Sequence, residues 1–403
     1  MLDIKKIRSD FPILKKTRNN KPFIYFDNAA TAQKPKLVID TICDFYSNYN
    51  SNIQRGMYFF ADKATIEFEK SRDIISSFLN TQFKEEIIFT SGTTHAINLV
   101  AFGFLQNSIS KGDEILIGEM EHHANIIPWQ VVAEKLGVNF TKLKCCENGR
   151  VDIKELKKKL NTNVKLIAVQ HTSNITGHEN NIKEICTLAH EKNIKVFVDG
   201  AQTVSHKAIN VRDLDCDFYS FSGHKCFGPT GVGVLFGKKN LLLEMEPFIF
   251  GGNMIDQVSF SKSSWGKLPH KFEAGTANIA GVIGLGAAIK YILSLGLDEI
   301  KKREQVLTNL MWENLKSINN IIINTTTPNS PIFSFNIKGA HNYDVGSLLD
   351  EMNICVRTGH LCAQPAIDFL GVAGFIRASL CFYNTEEEIV IFRSSIEKII
   401  KIL

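Results

Sequence analysis

What this sequence lacks narrows its reading before any motif is considered. It has no run of about eighteen apolar residues, so no membrane-spanning helix is expected. Residues Met1 to Asp10 mix charge with isolated apolar positions and show neither the apolar core nor the small-residue cleavage site of a secretory signal. The nine cysteines (43, 145, 146, 186, 216, 226, 355, 362 and 381) are odd in number and contain no CxxC pair. That pattern argues against a disulfide framework and against a zinc site, and no metal is expected. HExxH and P-loop motifs are absent, as are internal repeats and low-complexity linkers. Charge of either sign is not in excess: 46 Lys and Arg stand against 42 Asp and Glu, a formal net charge of +4. Neither a nucleic-acid nor a membrane partner follows from that balance. The expectation is a cytoplasmic protein with reduced thiols, most of them small buried hydrophobes.

What is present is core-forming material. With 403 residues, 44% hydrophobic and 22% charged, the chain can bury a sizeable core divided between two or three domain-sized units. Short β-rich runs, Glu86 to Thr90, Glu114 to Gly118, Leu166 to His171 and Lys195 to Asp199, alternate with longer segments of helical period. This alternation predicts an α/β fold with parallel strands and crossover helices. Asp217 to Phe221 and Val232 to Gly237 add two strands, the second a hairpin or edge continuation after the turn Gly228-Pro229-Thr230-Gly231. From Gly281 to Lys301 a Gly- and Ala-rich helix and then a charged amphipathic one read as a bridge into a second domain. There Ile332 to Ile337 and Ile354 to Arg357 look like antiparallel strands, and a helix closes the chain.

Several residues carry chemistry. Lys225 ends the segment Asp217-Phe-Tyr-Ser-Phe-Ser-Gly-His-Lys225 on a small turn crowded with polar groups. Burial there would favour the neutral amine, the form that attacks an aldehyde to make a Schiff base; the alternative is a solvated surface lysine. Asp199 closes the apolar run Val196-Phe-Val-Asp199, where open α/β sheets bind ligands, or else it caps the next helix. Gly92-Thr93-Thr94 follows a strand and opens a helix, which suits a phosphate cradle and equally suits simple capping. In Glu121-His122-His123-Ala124-Asn125 the two adjacent histidines do not share a helix face, so an aromatic platform able to relay protons fits better than a metal site. Gly228, Gly231 and Gly233 lead into a strand instead of opening a helix, which argues against a dinucleotide. Cys362 sits in a Gly-containing loop with Arg357 and His360, positive neighbours that favour thiolate; the alternative is a structural cysteine. Arg377 offers a planar fork for a carboxylate, or else an ordinary ion pair.

Taken in order, Thr93-Thr94, Glu121-His122-His123-Ala-Asn125, Asp199-Gly-Ala-Gln202, Ser222-Gly-His-Lys225 and Arg357-Thr-Gly-His360-Leu-Cys362 resemble the fold-type I, class V aminotransferase-like enzymes. Within them the sequence is most similar to the SufS group of cysteine desulfurases. The resemblance runs from Tyr25-Phe-Asp27-Asn-Ala29-Ala30 to Arg377-Ala-Ser-Leu and takes in Phe272-Glu-Ala-Gly-Thr276. It implies pyridoxal 5'-phosphate (PLP) as cofactor. It implies a large PLP-binding domain, 25–280, with a mainly parallel seven-stranded sheet flanked by helices. A smaller α+β C-terminal domain, 281–403, would carry the cysteine loop, with the N-terminal segment 1–24 packed on it. By the same likeness Lys225 holds the cofactor as a Schiff base and His122 stacks on its ring. Asp199 pairs with the pyridine nitrogen and Gln202 meets the phenolic oxygen. Thr94, Ser222 and His224 hold the phosphate with Thr93 close by, and Thr276 reaches the phosphate of a neighbouring subunit, which implies a homodimer. Arg377 clamps the substrate carboxylate, with Asn174 and Arg357 near the same pocket. Two positions depart from the pattern, both bearing on proton handling around sulfur: Leu361 stands where a second histidine is usual, and Gln54 where a histidine is common.

The activity so implied converts L-cysteine to L-alanine and leaves a persulfide on Cys362, to be passed to a SufE-like acceptor for iron–sulfur cluster assembly. L-Selenocysteine is a secondary substrate by the same chemistry. An aminotransferase or kynureninase-like lyase on this fold is the rival enzyme, and it would not need Cys362. A non-catalytic scaffold is the rival of another class.

Overall fold

In the computed structural model, which describes residues 2–324, 328 and 330–403, seven strands build the larger sheet. They are β1 (Ile87–Thr90), β2 (Glu114–Gly118), β3 (Asn139–Leu143), β4 (Val164–Gln170), β5 (Lys195–Asp199), β6 (Phe218–Ser222) and β7 (Gly233–Gly237). Their order is β1-β7-β6-β5-β4-β2-β3, and only β7 runs against its neighbours. The expected mainly parallel seven-stranded sheet is therefore present. Val, Ile and Phe dominate it because both faces are covered: Leu116, Ile167 and Val196 enter one core, and their chain neighbours Ile115, Leu166 and Phe197 enter the other.

Strand β3 has no counterpart among the sequence expectations. Its Asn-Phe-Thr-Lys-Leu sequence lies at the sheet edge, mostly half-buried or exposed, so it lacks the apolar run that marks the interior strands. The chain goes from β2 outward to β3 and then returns to place β4 on the other side of β2. Such a reversal opens a crevice at the carboxyl ends of the strands, where ligands bind in open sheets.

The expected boundary at 281 does not fall where the core changes. The helix Ile279–Leu295 is buried nearly all round and packs on the helices Lys36–Asn48 and Phe59–Leu79 within the larger core. Its glycines permit the approach: a β-carbon on Gly286 would lie 2.5 Å from Ser71 Oγ. Residues of the larger core run to Ile300 and return at Cys381, Phe382 and Tyr383, while those of the smaller one resume at Leu307. The N-terminal segment likewise divides. Ile7, Phe11 and Leu14 join the larger core, while Arg18 Nε donates to Asn353 Oδ1 at 2.7 Å in the smaller layer.

That smaller layer holds four antiparallel strands, β8 (Ile321–Ile323), β9 (Ile332–Ile337), β10 (Arg357–Gly359) and β11 (Phe375–Ser379), in the order β8-β9-β11-β10. The run Ile354 to Arg357, read as one strand, is split: Ile354–Cys355 leaves the sheet and pairs in parallel with Ile24–Tyr25. Among the described residues, no single helix is long and apolar enough to cross a membrane.

Candidate active site

The carboxyl ends of β1, β2, β4, β5 and β6 meet around one cavity of about 340 Å³. Twelve of the thirteen residues singled out in the sequence line it: Thr93, Thr94, His122, Asn174, Asp199, Gln202, Ser222, His224, Lys225, Arg357, Cys362 and Arg377. Thr276 does not; it is exposed and borders a separate hollow with Ser91 and His95.

Lys225 follows β6 on a short 3-10 turn, which aligns it with the strand end. It opens partly onto the cavity, and burial of its amine lowers the pKa while the Asp199 carboxylate pulls the other way. Asp199 itself is buried at the end of β5, which raises its pKa, and its Oδ1 accepts the Ala201 N–H at 2.9 Å. Gln202 is oriented by a bond from its Nε2 to the Ala29 carbonyl, 2.8 Å. Burial pushes His122 down to about 3, so the ring is neutral at physiological pH, and its Nδ1 accepts the Ala124 N–H at 3.1 Å. His224 is lowered to about 4, again chiefly by burial.

Between β1 and the helix Thr93–Val100, Gly92 takes a φ of +150 and lies against β7, where a β-carbon on Gly233 would meet Gly92 Cα at 2.5 Å. The Thr93 N–H donates to Ser222 Oγ at 2.9 Å, and the two hydroxyls are 2.9 Å apart. A glycine turn, a helix N-terminus and two hydroxyls on one wall form a socket for an anion.

The opposite wall comes from the smaller layer. Arg357 and Arg377 are directly opposite in the β10–β11 register, a repulsive arrangement for two guanidinium groups. Asp27 resolves it: its Oδ2 accepts Arg357 Nη2 at 2.6 Å, and its Oδ1 lies 3.7 Å from Arg377 Nη2. Asp27 was quoted within a motif but given no role in the sequence reading, because only the fold brings positions so remote together. Arg377 is buried, donates Nη1 to the Asn174 carbonyl at 2.9 Å, and keeps a buried Nε without a partner among the described residues. Asn174 Oδ1 is also buried and has no hydrogen-bond partner among the described residues. Such groups are costly unless a bound molecule satisfies them, so both suit a substrate with a carboxylate and an N–H.

Cys362 is exposed at the cavity mouth on the loop after β10. Leu361 and Cys362 both hold left-handed φ values, 54 and 55, which is strained for residues other than glycine. Leu361, in place of the usual histidine, is buried in a small apolar cluster with Met120, Ile175 and Phe375. Gln54, the other departure, pairs its Nε2 with His270 Nδ1 at 3.1 Å. Sequence reading passed over Gln170, the last residue of β4, and Thr172 just beyond it, which also line the cavity; an apolar strand ending in polar residues was the available signal.

The family model for class-V aminotransferases matches residues 24–392. A probable cysteine desulfurase of Halalkalibacterium halodurans is 45% identical over 396 residues, covering 98% of this chain and 97% of that protein. The chain belongs to the class V aminotransferase family, among its cysteine desulfurases. The crystal structure of the Escherichia coli cysteine desulfurase CsdA superposes with a TM-score of 0.94 at 34% identity, covering all of both chains. The apo cysteine desulfurase of Thermococcus onnurineus gives 0.95 at 36% identity, covering 100% of this chain and 99% of that one. Class V aminotransferases use PLP, and this desulfurase cavity offers what that cofactor requires: an amine of lowered pKa, a carboxylate at a strand end and an anion socket.

Proposed function

We propose that the cavity removes sulfur from L-cysteine by joint action of Lys225 and Cys362, with each other residue in the role its surroundings support. The observation that carries this reading is the convergence of a buried amine, a strand-end acid and an exposed thiol, remote in sequence, on one cavity. Held there, PLP supplies an aldehyde carbon for the substrate's amine and a ring that takes up electrons from the substrate's α-carbon. Lys225 holds the cofactor at rest and, released as a neutral amine, removes the α-proton. Asp199 keeps the ring nitrogen protonated, Gln202 bonds the phenolic oxygen and His122 stacks on the ring. Thr94, Ser222 and His224 hold the phosphate, with Thr93 fixing Ser222. Arg377 takes the substrate carboxylate, Asn174 its nitrogen, and Arg357 extends the positive wall.

Cys362 Sγ, as thiolate, then attacks the substrate sulfur. The carbon–sulfur bond breaks, its electron pair stays on the β-carbon, and that carbon takes up a proton. L-Cysteine and a thiol thus yield L-alanine and a persulfide on Cys362. A SufE-like acceptor receives that sulfur for iron–sulfur cluster assembly. L-Selenocysteine is a second substrate, since selenium is attacked more readily than sulfur and its bond to carbon is weaker. A second copy of the chain completes the phosphate site through Thr276, which stands exposed outside the cavity. Nine free thiols suit a reducing cytoplasm.

The test is mass spectrometry of the PLP-loaded protein after L-cysteine is added. One added sulfur on the peptide containing Cys362, absent in Cys362→Ser, is the expected result. Undiminished sulfide or persulfide production by Cys362→Ser overturns the mechanism in favour of a lyase that needs no thiol.

A further inference from the structure

The tandem histidines serve different neighbours. The His122 ring lines the cavity, whereas His123 turns to the cysteine loop, its ring centroid 6.3 Å from that of His122. The backbone N–H of His123 donates to the Cys362 carbonyl at 2.8 Å, and its Nε2 accepts the Gln364 N–H at 2.9 Å. One residue thus grips both ends of the tripeptide Cys362-Ala363-Gln364.

The need for this grip is visible locally. The helix Gln364–Phe369 starts after Ala363, which offers no side-chain cap, and its next residue, Pro365, has no N–H. The Gln364 N–H is one of the first helical N–H groups that no helix satisfies internally, and no capping Ser, Thr, Asp or Asn precedes it, so its acceptor has to come from elsewhere in the fold. An imidazole 241 residues away in sequence supplies the acceptor. Just ahead of it, Leu361 and Cys362 are strained, so the loop keeps its shape only while outside contacts hold it. Those contacts are the Asn174 Nδ2 bond to the Leu361 carbonyl, 2.8 Å, the burial of the Leu361 side chain, and His123.

We propose that the His123 imidazole is a positioning residue for sulfur transfer, fixing Cys362 by capping the helix that follows it. The inference rests on the reading of Cys362 as the sulfur acceptor. Burial favours the neutral ring, with His360 acting in the same direction, and a neutral ring leaves Nε2 free to accept. Through the short turn His123–Asn125, which His122 Nδ1 itself caps, the ring-stacking side chain and the loop clamp are joined covalently.

The experiment compares His123→Gln with His123→Asn in the PLP-loaded enzyme. Glutamine places an acceptor near the position of Nε2, and asparagine is too short to do so. Single-turnover persulfide formation on Cys362 is expected to fall roughly ten- to a hundredfold in His123→Asn and to recover within a few-fold of wild type in His123→Gln. The cofactor absorbance and the KM for L-cysteine are expected to stay near wild type in both. Equal rates in the two variants, or a His123→Asn defect confined to KM, overturn the proposal. Those outcomes differ from a failure of the parent reading, in which the wild-type protein itself would gain no sulfur on Cys362.

Discussion

The two walls of the cavity are built on opposite principles. The cofactor side is formed by strand ends of a sheet buried on both faces, and its basic groups are driven towards their neutral forms by burial, as with Lys225, His122 and His224. On the other side, next to the paired arginines of β10 and β11, Cys362 sits on a short loop from a different layer, exposed and strained, and held by a few hydrogen bonds and one buried leucine. Rigid, desolvated surroundings suit a group that must be an uncharged base. An exposed, tethered loop suits the role proposed for Cys362, to reach the substrate sulfur and then pass it on. Strain of this kind is tolerated at functional sites because the surrounding contacts over-determine it.

The sharpest way to break the contrast is Lys225→Ala. Activity is expected to fall by more than about a thousandfold, as removal of a covalent and general-base group does, and the absorbance band of the Schiff base to Lys225 is expected to vanish, leaving at most that of the free aldehyde. Retention of the Schiff-base band in the variant would break the assignment of the cofactor wall.

A second effect, on stability, falls on the same sheet, beside the cavity. His171, just after β4, is buried against the Tyr219 hydroxyl, 3.1 Å away, and its pKa drops from 6.5 to about 3. Unfolded chains bind a proton at this histidine below about pH 6.5, and the folded protein binds it only near 3, so stability is lost as pH falls through that window. At pH 5 the cost is roughly 2 kcal/mol for such a group. Denaturant melts at pH 7 and pH 5 should therefore show a smaller loss in His171→Asn than in wild type. An equal loss in both would remove burial of this ring as the cause.

The smallest expected effect isolates the loop. Cys43 and Cys146 are exposed, as Cys362 is, but lie outside the cavity. Their replacement by serine should leave persulfide formation and melting temperature within error of wild type, by kinetic assay and calorimetry. A substantial loss of sulfur transfer in either would mean that exposure and not position selects the acceptor thiol.

Much of this was legible in the chain. Strands at Lys195–Asp199 and Ile332–Ile337 coincide with their expected limits, because an apolar run between polar residues is a local signal. Edge strand β3 and the split at Ile354 to Arg357 were not legible, since one is half solvated and the other depends on a partner at Ile24–Tyr25. Of the candidate site residues, those at strand ends could be found locally. Asp27 could not, because its task exists only once β10 and β11 set two arginines side by side.

The sequence by itself determined which side chains could do chemistry and which strands would be buried, because side-chain type and hydrophobic periodicity are properties of adjacent residues. Tertiary structure decided what those side chains became. Only burial across layers shifts Lys225 and His122 towards neutrality, and only contact between remote segments holds Cys362 against the strain of its own backbone.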